Sequence, residues 1–142
     1  MRWVMKKRGF SLVELIIVLA IISVLSSVFI IRSGIYRNIK EKNEAKTLLA
    51  DLNYCREKAL SSGHIYSFKA VDDTYTIKNI TDINNNDDKY VKFRYLRANK
   101  TYKLKFRSNG VVVNAQTIYF SSDKRRYGYI ISPIAGRIRM NE

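Results

Sequence analysis

From Phe10 to Ile31 the chain runs through 22 residues with one charge, Glu14, and directly ahead of that run stand Lys6, Lys7, Arg8 and Gly9. An apolar segment of about 20 residues can cross a hydrocarbon core of roughly 30 Å as a helix, because a helix rises about 1.5 Å per residue. Arg2, Lys6, Lys7 and Arg8 would hold the preceding end on the cytoplasmic side, where basic flanks accumulate. A carboxylate at mid-bilayer costs about 2.5–3.5 kcal/mol on insertion scales and less near the interface, so Glu14 is expected to have a partner.

The segment Gly9-Phe10-Ser11-Leu12-Val13-Glu14-Leu15, behind its short basic leader, resembles the processing signal of type IV prepilins and of the pseudopilins of type II secretion and DNA-uptake machines. The resemblance implies that a membrane prepilin peptidase cuts between Gly9 and Phe10 and methylates the new amine of Phe10. It also implies that Glu14 pairs with that amine on a neighbouring subunit as a filament grows. Elementary electrostatics agrees, since an amine and a carboxylate removed from water are far less costly together than alone. An ordinary secretory signal is cut after its hydrophobic core. Here Gly9 precedes the core, so cutting leaves the apolar helix on the mature protein.

The partners implied are prepilin peptidase, other pilin or pseudopilin subunits, the inner-membrane assembly platform and membrane lipid. The implied location is a single pass through the cytoplasmic (inner) membrane, with the C-terminal domain outside the cytoplasm, and a pilus or pseudopilus after assembly.

Beyond Ile31 the pattern becomes amphipathic. Ala45, Leu48, Leu52, Cys55 and Ala59 recur at helical spacing, Leu49 and Leu60 widen the stripe, and Lys40, Glu41, Lys42, Lys46, Asp51 and Lys58 fall on other faces. The reading is one helix unbroken to about Ser61, stopped by Gly63, with Ser33-Gly34 as its weakest point. From His64 the period drops to two. Residues 65–71 and 74–80 flank Asp72-Asp73 as a hairpin, and 82–89 is a polar loop. Val91, Phe93 and Tyr95 alternate with Lys92 and Arg94, and Tyr102, Leu104 and Phe106 alternate with Lys103, Lys105 and Arg107. Each such strand puts its aromatics on one face, as core, and its cations on the other.

Asn109-Gly110 signals a turn, 111–113, 117–121 and 127–132 are further strands, and Pro133 limits the last to an edge or an end. The expected fold class is α+β, a long N-terminal helix packed on an antiparallel sheet domain. The expected divisions are a leader 1–9, a transmembrane and assembly helix 10–31, its amphipathic half 32–62 and a β-rich soluble domain 63–142.

Four positive charges leave with the leader, and most of the remaining excess lies late in the chain. From His64 to Glu142 there are fifteen basic side chains against seven acidic. Such a field favours polyanions or anionic surfaces, and equally describes a domain kept soluble by charge. The ending Ile130-Ile131-Ser132-Pro133-Ile134-Ala135-Gly136-Arg137-Ile138-Arg139 is similar to the closing segment of H-type minor pseudopilins and their FimT-like relatives.

Arg137 and Arg139, two apart, project to the same side of an extended segment, and Gly136 lets the backbone approach a partner closely. With Arg125, Arg126, Lys103, Lys105 and Arg107 they form a candidate DNA-binding set, provided the fold gathers them. The competing reading is a terminal strand whose arginines serve the surface or a neighbouring subunit. His64 has no companion at metal-ligand spacing, and Cys55 reads as a small buried side chain. With no nucleophile elbow, phosphate loop or carboxylate pair standing out, the expectation is a structural subunit with no cofactor, no metal and no enzymatic activity. DNA capture through the basic domain is the alternative, and a single-pass membrane protein that forms no filament is a third, generic reading.

Overall fold

The computed structural model describes residues 11–32, 34–82 and 88–142. Gly9, Phe10 and the centre of the polar loop lie outside the described residues. Two compact units divide at Asn38 and Ile39.

The first unit contains α1 (Leu12–Arg32), apolar around its whole circumference from Leu12 to Val28. Ser23, Ser26 and Ser27 donate their hydroxyls to the carbonyls of Leu19, Ile22 and Ser23, at 2.8, 2.7 and 2.9 Å. Each serine therefore satisfies its own polar group inside the helix. The expected unbroken helix is interrupted. Gly34 takes φ 70, and a second helix, α2 (Ile35–Ser62), starts after it with Asn38 N–H donating to the Gly34 carbonyl at 3.1 Å. A left-handed residue cannot continue a right-handed helix, and glycine adopts it without steric cost.

In the second unit α2 carries the expected stripe of Ala45, Leu48, Leu52, Cys55 and Ala59, all buried. Leu60 is exposed instead of widening it. Glu41 and Asp51, expected on other faces, are buried as well, at 2% and 7% exposure. Their positions continue the helical stripe, and burial is tolerable because each carboxylate meets a donor from a strand.

Among the described residues nine strands follow: β1 (Tyr66–Val71), β2 (Thr74–Asn79), β3 (Lys89–Lys92), β4 (Arg97–Ala98), β5 (Tyr102–Phe106), β6 (Val112–Val113), β7 (Ile118–Ser121), β8 (Arg126–Ile131) and β9 (Ile138–Asn141). They form two antiparallel sheets in place of the single expected one, with orders β3-β2-β1-β5-β6 and β4-β7-β8-β9. The expected hairpin is β1–β2, turning at Asp72-Asp73 with Val71 opposite Thr74. The expected strand through Val91, Phe93 and Tyr95 stops at Lys92. The chain leaves it because the Glu44 carboxylate accepts the N–H groups of Arg94 and Tyr95, each at 3.0 Å, capturing donors that a continued ladder would need.

One core joins both sheets to α2. Phe68, Tyr75, Phe93 and Phe120 form a chain of rings 5.0–5.5 Å apart, and Phe120 also meets Tyr102 and Tyr129 at 6.1 and 5.9 Å. The sheets are stitched by Tyr119 N–H donating to the Tyr102 hydroxyl oxygen at 2.9 Å and Val112 N–H donating to the Pro133 carbonyl at 3.0 Å. Residues 39–142 thus hold every buried hydrophobic side chain described, in a compact body with its own core.

Gly136 has a different use from the expected approach to a partner. Its φ is 57, and a Cβ there would lie 2.8 Å from the Gly110 carbonyl oxygen and 3.1 Å from Arg56 Cδ. Arg56 Nε meanwhile donates to the Ala135 carbonyl at 3.0 Å. The glycine is buried and lets residues 133–136 close against their own domain. Gly136→Ala is expected to destabilise residues 39–142 by about 2–3 kcal/mol, from left-handed strain plus the backbone clash. Urea unfolding measures this, and a change under about 0.5 kcal/mol would refute the packing role.

Candidate functional site

Glu14 lies in the first turn of α1 with its side chain exposed, where a carboxylate also suits the helix dipole. Around it, Leu12, Val13, Leu15 and Ile16 expose between 56% and 72% of their surface. A helix apolar on every side has no water-facing stripe. Among the described residues no helix is long and apolar enough to cross a membrane. The sequence run behind the membrane expectation, Phe10–Ile31, extends past the described side chains at both ends.

Three acids of α2 position the sheets. Glu41 accepts from the Tyr127 hydroxyl at 3.0 Å, Glu44 holds the 94–95 backbone, and Asp51 accepts both the Tyr75 hydroxyl and Lys89 Nζ, the latter at 2.7 Å. The Tyr129 hydroxyl donates to the Ala45 carbonyl at 2.8 Å. Burial, reinforced by the hydrogen bond to Asp51, pushes the Tyr75 phenol well above the usual tyrosine range, and burial does the same to Tyr129. Burial pushes the Cys55 thiol up to about 12, leaving it protonated and unreactive at neutral pH. His64 Nδ1 lies 3.0 Å from the Asn79 side-chain amide. Among the described residues no group of three His, Cys, Asp or Glu side chains is placed to hold a metal ion.

The expected DNA-binding set is not gathered into one patch. Lys103 and Lys105 point outward from β5 in the five-stranded sheet, with Arg107 just beyond it, while Tyr102, Leu104 and Phe106 face the core as expected. Arg126 and Arg139 belong to the four-stranded sheet, where Arg126 pairs with Ser121 and Arg139 with Ile130. Arg125 sits in the β7–β8 turn, its carbonyl accepting from Ser122 N–H at 2.8 Å. Arg137 and Arg139 do share a side, lining with Ile130, Ser132 and Ala135 a shallow groove of about 480 Å³.

Sequence reading missed two members of that arginine face. Arg97 comes from the two-residue β4 and joins the row through its pairing with Ser121. Tyr119 lies beneath the Arg126 guanidinium, 3.9 Å from ring centre to Cζ, and its ring lies over Gly128, where a Cβ would come within 3.0 Å. Alternation along β7 and β8 was a usable signal for Tyr119 and Arg126. Nothing local marks a two-residue strand.

Residues 4–30 match the prokaryotic N-terminal methylation motif. That motif stands ahead of a fold of helix on antiparallel sheets. A solved structure of similar fold is the type IV minor pilin FimU of Pseudomonas aeruginosa (strain PAO1), 22% identical, with a TM-score of 0.56 over 71% of this chain and 92% of that one. At that identity the likeness is one of fold. No curated protein matches the chain.

Proposed function

We propose that this chain is a minor pilin or pseudopilin subunit, assembled into a type IV pilus or a type II secretion-like pseudopilus. The observation that carries the proposal is the methylation motif at residues 4–30 in a chain with a pilin-like fold. In this reading Phe10–Ile31 spans the cytoplasmic membrane and the C-terminal domain lies outside the cytoplasm. Prepilin peptidase removes Met1–Gly9 and methylates the amine of Phe10, and the assembly platform then draws the helix out of lipid into a bundle of like helices. Glu14 serves as the carboxylate that neutralises the Phe10 amine of a neighbour. The chain is the peptidase's substrate and performs no chemistry itself. Co-expression with a prepilin peptidase is expected to shorten the chain by its leader, and Gly9→Val to leave it full length. Equal electrophoretic sizes for the two would refute the processing step.

A second reading, DNA capture by the same subunit, is supported by the outward row Arg97, Arg126 and Arg139 with Tyr119 beside it. Guanidinium groups suit phosphate contacts. Binding to duplex DNA at low salt is expected to fall steeply as salt rises and to weaken with Arg137→Ala and Arg139→Ala together. A gel shift indifferent to that double substitution removes the arginine ending from the role.

A further inference from the structure

The outer face of the five-stranded sheet is a lysine surface. Its register sets Lys69 of β1 directly opposite Lys103 of β5, with Lys105 one step along, opposite Ser67. Like charges facing each other across neighbouring strands destabilise a sheet. Lys78 and Lys92, on the same face, are held by Asp88 and Asp73 at 2.9 and 3.4 Å. Among the described residues no acidic side chain pairs with Lys69, Lys103 or Lys105, and all three are exposed. Three uncompensated cations therefore stand about 5 Å apart across the strands and about 7 Å apart along them.

The two outer faces also differ in chemistry. The cations that strands present on this face, Lys69, Lys78, Lys92, Lys103 and Lys105, are all lysine, whereas those on the other sheet, Arg97, Arg126 and Arg139, are all arginine. Arginine's planar fork suits a ligand of defined geometry. Lysine's hydrated point charge on a flexible stem suits a diffuse anionic surface.

We propose that Lys69, Lys103 and Lys105 dock the domain on the anionic phospholipid headgroups of the membrane that holds Phe10–Ile31 before assembly. This rests on the membrane reading of that segment given above. One chain carries both the membrane segment and these lysines, which raises their effective concentration at that membrane. Each basic side chain close to an anionic leaflet strengthens attachment about fivefold, and the attraction fades within a Debye length. Docking of this kind is reversible, as a subunit awaiting extraction needs.

The test is flotation of residues 39–142, which contain the whole described core, with vesicles of phosphatidylcholine alone or mixed with phosphatidylglycerol. Binding is expected only to the mixed vesicles and to vanish in high salt. Lys69→Ala with Lys103→Ala is expected to lose about 25-fold in affinity, Lys69→Arg with Lys103→Arg to retain it, and Arg137→Ala with Arg139→Ala to leave it unchanged. Equal partition to both vesicle types, or an alanine double variant with wild-type circular dichroism and undiminished flotation, overturns the proposal. So does a loss of duplex-DNA binding in that variant without loss of flotation, which would make the face a nucleic-acid surface. The fragment lacks α1, so failure here leaves the filament reading standing, and cleavage at Gly9 tests that reading separately.

Discussion

Glu14→Val is expected to leave cleavage after Gly9 intact and to keep the mature chain out of filaments. The substitution suits an apolar helix and removes the one charge between Phe10 and Ile31, so the anchor itself should insert at least as well as before. What it takes away is the partner proposed for the Phe10 amine. An amine left unpaired inside a helix bundle costs about 3–5 kcal/mol, and each 1.4 kcal/mol is about a factor of ten in an equilibrium. The filament-bound fraction should therefore fall more than about 100-fold while the membrane-bound mature form accumulates. Glu14→Asp, shorter by one methylene, should recover part of the loss. Normal incorporation of the valine variant would remove the carboxylate from the mechanism.

Phe120→Ala is expected to be the most damaging single truncation in the soluble unit. Phe120 sits on β7 but touches rings from three other places, Phe93, Tyr102 of β5 and Tyr129 of β8, and it is fully buried. Removing it opens a cavity where the two sheets share their core, at a cost of about 3–5 kcal/mol. Domains of this size are stable by about 5–15 kcal/mol, so about a fifth or more of the total is at stake. The urea midpoint of residues 39–142 should drop accordingly, and Phe120→Leu, which refills most of the space, should lose less. A loss under about 1 kcal/mol would mean that the sheets do not depend on a common core.

The parts of this fold written in local pattern were legible. The apolar run with its lone Glu14 and the alternation of Tyr102, Leu104 and Phe106 with Lys103 and Lys105 needed only a few neighbouring residues to read. Glu41 and Asp51 were misplaced because charge overrode position. Both fall on the helical stripe, but the tyrosines that make their burial tolerable, Tyr127 and Tyr75, come from 86 and 24 residues further on. The same distance effect hid the lysine face. Lys103 and Lys105 were visible on their own strand, whereas Lys69 joins them only because β1 pairs with β5 across the hairpin, the loop and β4. It also split the basic set, since nothing in the sequence says that Lys103 and Arg139 belong to different sheets. Gly136 was read as a gap left for a partner. The partner turned out to be the domain's own Gly110 and Arg56.

The most direct test of the filament account is the intact mass of this chain in sheared surface filaments from cells expressing it at full length. The account predicts a filament-associated chain that lacks Met1–Gly9 and begins with an N-methylated Phe10. A chain that keeps its leader, or that stays in the membrane fraction while filaments form normally around it, would contradict it.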